Sequence, residues 1–395
     1  MASSGYGTFL DEKVRTEFAL NRRERRTSSL STADWMAKVD DESPVSSLSL
    51  PGTHDSSAFT SSWPFVSTQK MDILQQLDAG IRYFDLRCGL VKDIVEMVHG
   101  RALLGLRLDA VLDTMYKWLD VHQTEGLVVQ IKQDRREEDS EMSFHSAIYN
   151  ILDISPKYWR TLPTTPKLKE LRGKIQLFRR FPGPPFRGID VSRWQDNPTT
   201  PFTIRTYHGV LITIQDHYSP TDPVPLPDFV DKKGGDVSFM LNKAVTDTSP
   251  DRWYINFVSA FEINFYYQVS PREVALGGWW NFQWITGLNP RLAVYLKEHA
   301  TRKRKQRYGI IAMDFPEQGS DDLIKSVIRS NFADKKTSLL HPITWVIILL
   351  VLIYVAGLVL LFVHGRVERP WCPPWLHACA LQGDAGDLTQ LSASS

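Results

Sequence analysis

Between residues 44 and 332 the chain repeats one pattern: a short apolar run, closed by polar residues and followed by a turn or a helical stretch. The runs predict strands at "VSSLSLPG" (45–52), "GIRYFDLRCG" (80–89), "DIVEMVHG" (93–100), "GLVVQIKQ" (126–133), "GKIQLFRRF" (173–181), "GVLITIQDHY" (209–218), "RWYINFVSAF" (252–261) and "RYGIIAMDFP" (307–316). The clearest helix is Leu108 to Leu119, where Leu108, Val111, Leu112, Met115, Trp118 and Leu119 share a face. Others are expected at 72–80, 143–152, 289–300 and 320–332, the last opening on a Ser-Asp cap. Eight strands with interleaved helices predict an α/β fold, a TIM-type (β/α)8 barrel. It should be irregular, because almost no helical sequence separates the second and third strands. The Pro-rich segments "FPGPPFRG" (181–188) and "SPTDPVPLPDF" (219–229) are expected as loops at the strand ends.

The pattern divides the chain into a barrel, 43–333, with flanking segments. Residues 1–42 are polar, lack the apolar core of a signal peptide, and are expected to form a mobile arm. Residues 343–363, "ITWVIILLVLIYVAGLVLLFV", carry no charge and no polar stripe, and predict one C-terminal transmembrane helix. Lys335 and Lys336 on one side nearly balance Arg366 and Arg369 on the other. The expected topology is a C-terminal anchor with the barrel in the cytosol. Residues 364–395 form a short tail, in which Cys372 and Cys379 are read as free thiols in preference to palmitoylation sites.

Composition narrows the partners. Forty-six basic and 45 acidic residues give a formal charge of +1, so no bulk field points to nucleic acid. Three cysteines, Cys88 included, are too few for a disulfide framework or a zinc site. The sequon Asn197-Pro198-Thr199 is disabled by its proline.

The chemistry lies at the carboxyl ends of the predicted strands. His54 and Asp55 follow the first, Arg87 ends the second, His99 the third, Lys132 the fourth, Arg180 the fifth, Asp216 and Tyr218 the sixth, and Asp314 the last. A barrel would bring all of them to one mouth. Two histidines, several cations and carboxylates suit phosphoryl transfer without a metal. One imidazole takes a proton from an attacking hydroxyl, the other protonates the leaving alkoxide, and an arginine stabilises charge on the phosphate oxygens. Each element alone is weak evidence. His208 and His217 lie in similar segments and are given no role.

"LPGTHDS", "AGIRYFDLR", "MVHG", "VVQIKQ", "GKIQLFRRF", "IQDHY" and "GIIAMDF", in that order, resemble the X-domain of phosphatidylinositol-specific phospholipase C in its bacterial-type form. The resemblance runs from about Ser47 to Asn331. It implies His54 as general base on the inositol 2-hydroxyl and His99 as general acid for the diacylglycerol oxygen. Arg87 would bind the phosphate, Asp55 would pair with Arg87, and Asp314 would orient His54. Lys132, Arg180 and Asp216 would hydrogen-bond inositol hydroxyls, with Tyr218 stacked on the ring. Arg179 is the alternative to Arg180, since strand alternation turns only one of them inward. Asp85 either supports Arg87 or pairs with Arg82.

In the calcium-dependent members of that family, acidic residues occupy positions that look like Arg87 and Lys132 here. A cation there repels Ca²⁺, so neither metal nor cofactor is expected. The implied reaction releases diacylglycerol and inositol 1,2-cyclic phosphate. Rival readings are a catalytically weak inositol-lipid scaffold, or a phosphodiesterase acting on another glycerophospholipid. Bacterial relatives carry an aromatic loop in the region of Trp279, Trp280, Phe282 and Trp284, which marks these four as expected membrane contacts. The basic run 297–307 is read as a solvated helix end and loop. The sequence leaves oligomeric state open.

Overall fold

A computed structural model describes residues 31–300, 305–320, 322–332 and 340–367. The chain divides into two units, 1–334 and 335–395.

The first unit is built on strands β1 (Leu50–Thr53), β2 (Tyr83–Val91), β3 (Ile94–His99), β4 (Ala102–Arg107), β5 (Leu127–Gln133), β6 (Trp159–Arg160), β7 (Ile175–Arg180), β8 (Ile189–Asp190), β9 (Phe202–Arg205), β10 (Leu211–Gln215) and β11 (Arg252–Phe257). Two small hairpins follow, β12 (Glu262–Ile263) with β13 (Gln268–Val269) and β14 (Gly277–Trp280) with β15 (Gln283–Thr286), and then β16 (Ile310–Met313). Its helices are α1 (Ile73–Ala79), α2 (Leu108–Val121), α3 (Phe144–Ile154), α4 (Leu168–Leu171), α5 (Leu226–Thr246), α6 (Pro271–Leu276), α7 (Leu288–Ala300) and α8 (Leu323–Arg329).

The main sheet runs β6-β7-β5-β2-β1-β16-β11-β10-β9, and it is parallel from β6 to β10. Parallel strands covered on both faces are apolar nearly throughout, which is why β2 and β5 stand out in the sequence. Two features make the barrel irregular. β9 returns antiparallel on β10, and no ladder among the described residues joins it to β6 or β8. The segment expected as the third barrel strand is instead an antiparallel arm: β3 pairs with β2 and β4, outside the parallel circle. Too little chain separates β2 from β3 for a parallel crossover, so a hairpin is the available connection.

Close packing around β1 explains its glycine. A Cβ on Gly52 would lie 2.8 Å from the Tyr83 ring and 3.2 Å from the Ile311 carbonyl. Only a residue without a side chain lets β1 sit between β2 and β16 at the level of the site.

The expected mobile arm, 1–42, needs correcting where it is described. Trp35 and Met36 are fully buried. The buried Arg82 guanidinium bonds the carbonyls of Ala33, Leu77 and Ile81, and pairs with Glu125 at 2.8 Å. Residues 31–42 therefore close the floor of the barrel; residues 1–30 lie outside the description. A second correction concerns Leu226 to Phe229, expected as loop. They open α5, a long helix whose weak amphipathic signal is broken by Gly234 and Gly235.

In the second unit, helix α9 spans Leu340–Val367. Among the described residues no helix is long and apolar enough to cross a membrane. The expected span at 343–363 thus finds no support in the described residues, and most of the tail, with Cys372 and Cys379, lies outside them.

Candidate active site

The strand order places β1 and β16 side by side, and both chains turn sharply just beyond them. His54 donates its backbone N–H to the Met313 carbonyl at 3.0 Å, and the Gln69 amide bonds the carbonyls of both His54 and Met313. Asp55 then takes a left-handed conformation, φ 41°, as does Phe315 after Asp314 at φ 45°. These turns bring the His54 and Asp314 side chains together, with Nδ1 2.8 Å from Oδ1.

The other ring nitrogen, Nε2, accepts from Arg87 at 2.7 Å. Arg87 stands among three carboxylates: Asp85 at 3.3 Å, Asp55 at 3.8 Å and Asp134 at 3.9 Å. Burial works against its charge, but Asp85, Asp134 and Asp55 outweigh burial and hold Arg87 well above its ordinary range. Asp85 is the nearest of the three. It also accepts from Gln130 at 2.6 Å, while Arg82 turns away to Glu125.

Burial, reinforced by Arg87 and His99, holds His54 well below the usual imidazole range. At neutral pH it is therefore the free base. Burial, with Asp55 adding to it, pushes the Asp314 carboxyl up. A positive charge arriving on His54 would favour its ionised form.

His99 faces His54 with ring centroids 6.5 Å apart and planes perpendicular. Its Nδ1 is 2.8 Å from the Val66 carbonyl and 3.4 Å from Asp55 Oδ2. Asp55 thus lies between His99 and Arg87. Burial pushes Asp55 up to about 6, against the pull of His99 and Arg87.

Across the cavity, Lys132 pairs with Asp134, which also accepts the Gly100 N–H at 2.9 Å. Burial alone would raise Asp134, but Arg87 and Lys132 keep it well below the usual carboxylate range. Arg180 lies over the Trp194 ring at 4.0 Å and 3.7 Å from Asp216, whose carboxylate also accepts the Trp194 indole N–H. Tyr218 stacks on Phe261 and donates its hydroxyl to Asp196.

The cavity has a volume of about 320 Å³, and all the expected catalytic and headgroup-binding residues except Asp55 line it. Asp55 is wholly buried beneath. Arg180 faces the cavity; Arg179 points the other way, to Asp190 at 2.7 Å. Asp134, Asp196, Ser259 and Phe261 also line it and were missed; Asp85, left open between Arg87 and Arg82, stands beside Arg87. Asp134 had a signal, since it follows Lys132 by two residues at a strand end; loop residues such as Ser259 had none. His208 is exposed, and His217 turns away to pair with Asp236 at 2.8 Å. Among the described residues no group of three or more His, Cys, Asp or Glu is arranged to hold a metal ion.

The aromatic segment forms the β14–β15 hairpin. Trp279 and Trp284 pair across it and are exposed, and Phe282 at its tip is 100% exposed. Trp280 is the exception. Strand alternation turns it inward against the core and Tyr267. Phe265 and Tyr266, exposed in the β12–β13 turn, were overlooked.

Residues 48–181 match the family model described as "Phosphatidylinositol-specific phospholipase C, X domain". A 1-phosphatidylinositol phosphodiesterase of Staphylococcus aureus (strain Newman) is 31% identical over 323 residues, covering 77% of this chain and 95% of the relative. One from Listeria monocytogenes is 27% identical, covering 77% and 86%. The structure of a mutant phosphatidylinositol-specific phospholipase C from S. aureus superposes with a TM-score of 0.64 at 27% identity, over 76% of this chain and 98% of that one. With the fold and sequence matched over nearly the full length of such relatives, the chain belongs to the bacterial-type phosphatidylinositol-specific phospholipase C X-domain family.

Proposed function

We propose that the chain is a metal-independent phosphatidylinositol-specific phospholipase C that cleaves the glycerol–phosphate bond. The observation that carries the reading is His54, a neutral imidazole held between Asp314 at 2.8 Å and Arg87 at 2.7 Å, with a second histidine facing it across one cavity.

With Nδ1–H donated to Asp314, His54 Nε2 carries the lone pair, which Arg87 engages at 2.7 Å. A phosphodiester entering the cavity draws the Arg87 guanidinium onto its oxygens and leaves Nε2 to accept the proton of the inositol 2-hydroxyl. That oxygen attacks the neighbouring phosphorus, an intramolecular step in which proximity replaces a second encounter. The bond from phosphorus to the glycerol oxygen breaks, and His99 supplies the proton to the leaving alkoxide. The products are diacylglycerol and inositol 1,2-cyclic phosphate. Lys132, Arg180 and Asp216 hydrogen-bond the ring hydroxyls, Tyr218 lies along the ring, and Asp55 holds Arg87 and His99 in place. Arg87, set among three carboxylates, provides the positive charge a metal would otherwise bring.

Two features support action at a membrane. Trp279, Phe282 and Trp284 project from one hairpin, and rings of this kind partition to the bilayer interface. The uncharged run 343–363 is proposed as a single-span anchor. The buried free thiol of Cys88 and the disabled sequon fit a cytosolic barrel.

The test is incubation of the full-length protein with phosphatidylinositol vesicles in EDTA, following water-soluble products by phosphorus NMR. A cyclic phosphate signal that disappears in His54→Ala supports the reading. Activity abolished by EDTA would sink the metal-free mechanism, and a folded protein silent on inositol lipids would favour the scaffold. Alkaline carbonate extraction tests the anchor: full-length chain should stay with the membrane pellet, and its release would remove the span.

A further inference from the structure

Helix α5 carries a lysine in an unexpected place. In "DKKGGD" it has the look of a solvated helix charge, yet Lys233 is only 2% exposed. Its Nζ donates to the His217 carbonyl at 2.6 Å and the Gln215 side-chain carbonyl at 3.1 Å. Burying an ammonium without a carboxylate in contact is costly, and an apolar side chain would pack there at less expense.

Both acceptors lie at the carboxyl end of β10, one on each side of Asp216 in sequence. The Gln215 carbonyl also accepts the His217 N–H at 2.8 Å, and its amide donates to Asn256 and to the Phe257 carbonyl. Asn256 in turn donates to the Val237 carbonyl of α5. The Phe257 ring packs edge-on against His54 at 5.8 Å. One buried network therefore ties α5 to the ends of β10 and β11, from which Asp216, Tyr218 and the wall behind His54 are presented.

We propose that Lys233 is a positioning residue for headgroup binding, whose two hydrogen bonds fix the β10 terminus so that Asp216 and Tyr218 meet the inositol ring. This rests on the function proposed above. The role requires the ammonium form, because a neutral amine binds those carbonyls more weakly. The groups acting on it are Asp216 from β10, Asp236 from α5 itself and Asp314 from the end of β16, all of which favour its charge. Burial outweighs them and brings Lys233 down to about 8, so the clamp weakens in mildly alkaline solution.

The experiment measures KM and kcat on phosphatidylinositol vesicles from pH 6.5 to pH 9.5 for wild type and Lys233→Met, a near-isosteric change that removes both donors. Wild type is expected to show KM rising about tenfold above pH 8 with a smaller change in kcat. Lys233→Met should have the raised KM at every pH and no alkaline rise. A folded Lys233→Met with wild-type KM and an intact alkaline rise overturns the proposal. Should that variant not fold, the wild-type profile decides, and a KM flat to pH 9.5 overturns it equally. Wild type inactive on inositol lipids would mean failure of the functional reading and of this role with it, whereas active wild type with an unaltered variant removes only the role.

Discussion

The two histidines of the cavity are held in different ways. His54 and Asp314 leave adjacent parallel strands, and both nitrogens of the His54 ring are engaged by side chains of the barrel. His99 arrives on an antiparallel arm outside the parallel circle, held by one loop carbonyl and the flank of Asp55. The proposed base is thus built into the framework, where buried electrostatics set its protonation. The proposed acid is delivered by an excursion of the chain, with one buried carboxylate at its flank.

The largest effects should come from the histidines themselves. His54→Ala and His99→Ala are each expected to lower kcat by about 10²–10⁴-fold, with unchanged circular dichroism. The contrast appears in their supports. Asp314→Asn presents an amide where Nδ1–H needs an acceptor, selecting the wrong tautomer, and should lose nearly as much as His54→Ala. Asp55→Asn should cost about tenfold, because Asp85 and Asp134 still hold Arg87. Equal losses from the two variants, in steady-state kinetics on vesicles, would remove the distinction.

That asymmetry bears on how much the sequence revealed. His54, Arg87, Lys132, Arg180 and Asp314 were legible because parallel strands announce themselves as apolar runs and a barrel converges their ends. His99 was placed at the mouth by the wrong route, since a short apolar run reads the same in an antiparallel arm as in a barrel strand. The role of Asp85 was open because pairing with Arg82 was equally plausible until burial tied Arg82 to Glu125. Lys233 and α5 were invisible: two glycines interrupt the helical signal, and nothing local tells a buried lysine from a solvated one. Trp280 was grouped with its neighbours by composition, and only hairpin register separates it from Trp279.

The next effect concerns pH. Asp55 titrates near 6 in the folded chain against an ordinary 3.8, so between those values the folded state binds the proton that the unfolded state has released. Its contribution to stability therefore falls as pH rises from about 4 to about 6, and at neutral pH the buried carboxylate costs about 3 kcal/mol. Activity should run the other way, with kcat/KM dropping below pH 6 as the negative charge beside His99 and Arg87 is lost. Asp55→Asn is expected to melt several degrees higher than wild type at pH 7 while turning over more slowly, and to lose the step near pH 6 in stability. A variant that melts lower at pH 7 would show that the ionised carboxylate stabilises the fold.

The smallest effect tests whether the β14–β15 hairpin also meets the lipid. The β14–β15 turn places Asn281 at φ 44° and Phe282 at φ 65°, a two-residue hairpin turn in which the second position ordinarily favours glycine. Phenylalanine there costs about 1 kcal/mol of backbone strain and, fully exposed, gains no packing in return. Contact with a bilayer would offset that cost, since burying the ring is worth about 1.5–3 kcal/mol. Phe282→Gly should accordingly raise the melting temperature slightly and weaken binding to phosphatidylinositol vesicles about tenfold. Turnover of a short-chain monomeric lipid should fall less than turnover of vesicles. Unchanged vesicle affinity, measured by co-sedimentation, would return the hairpin to a structural role and leave its strained phenylalanine without a purpose.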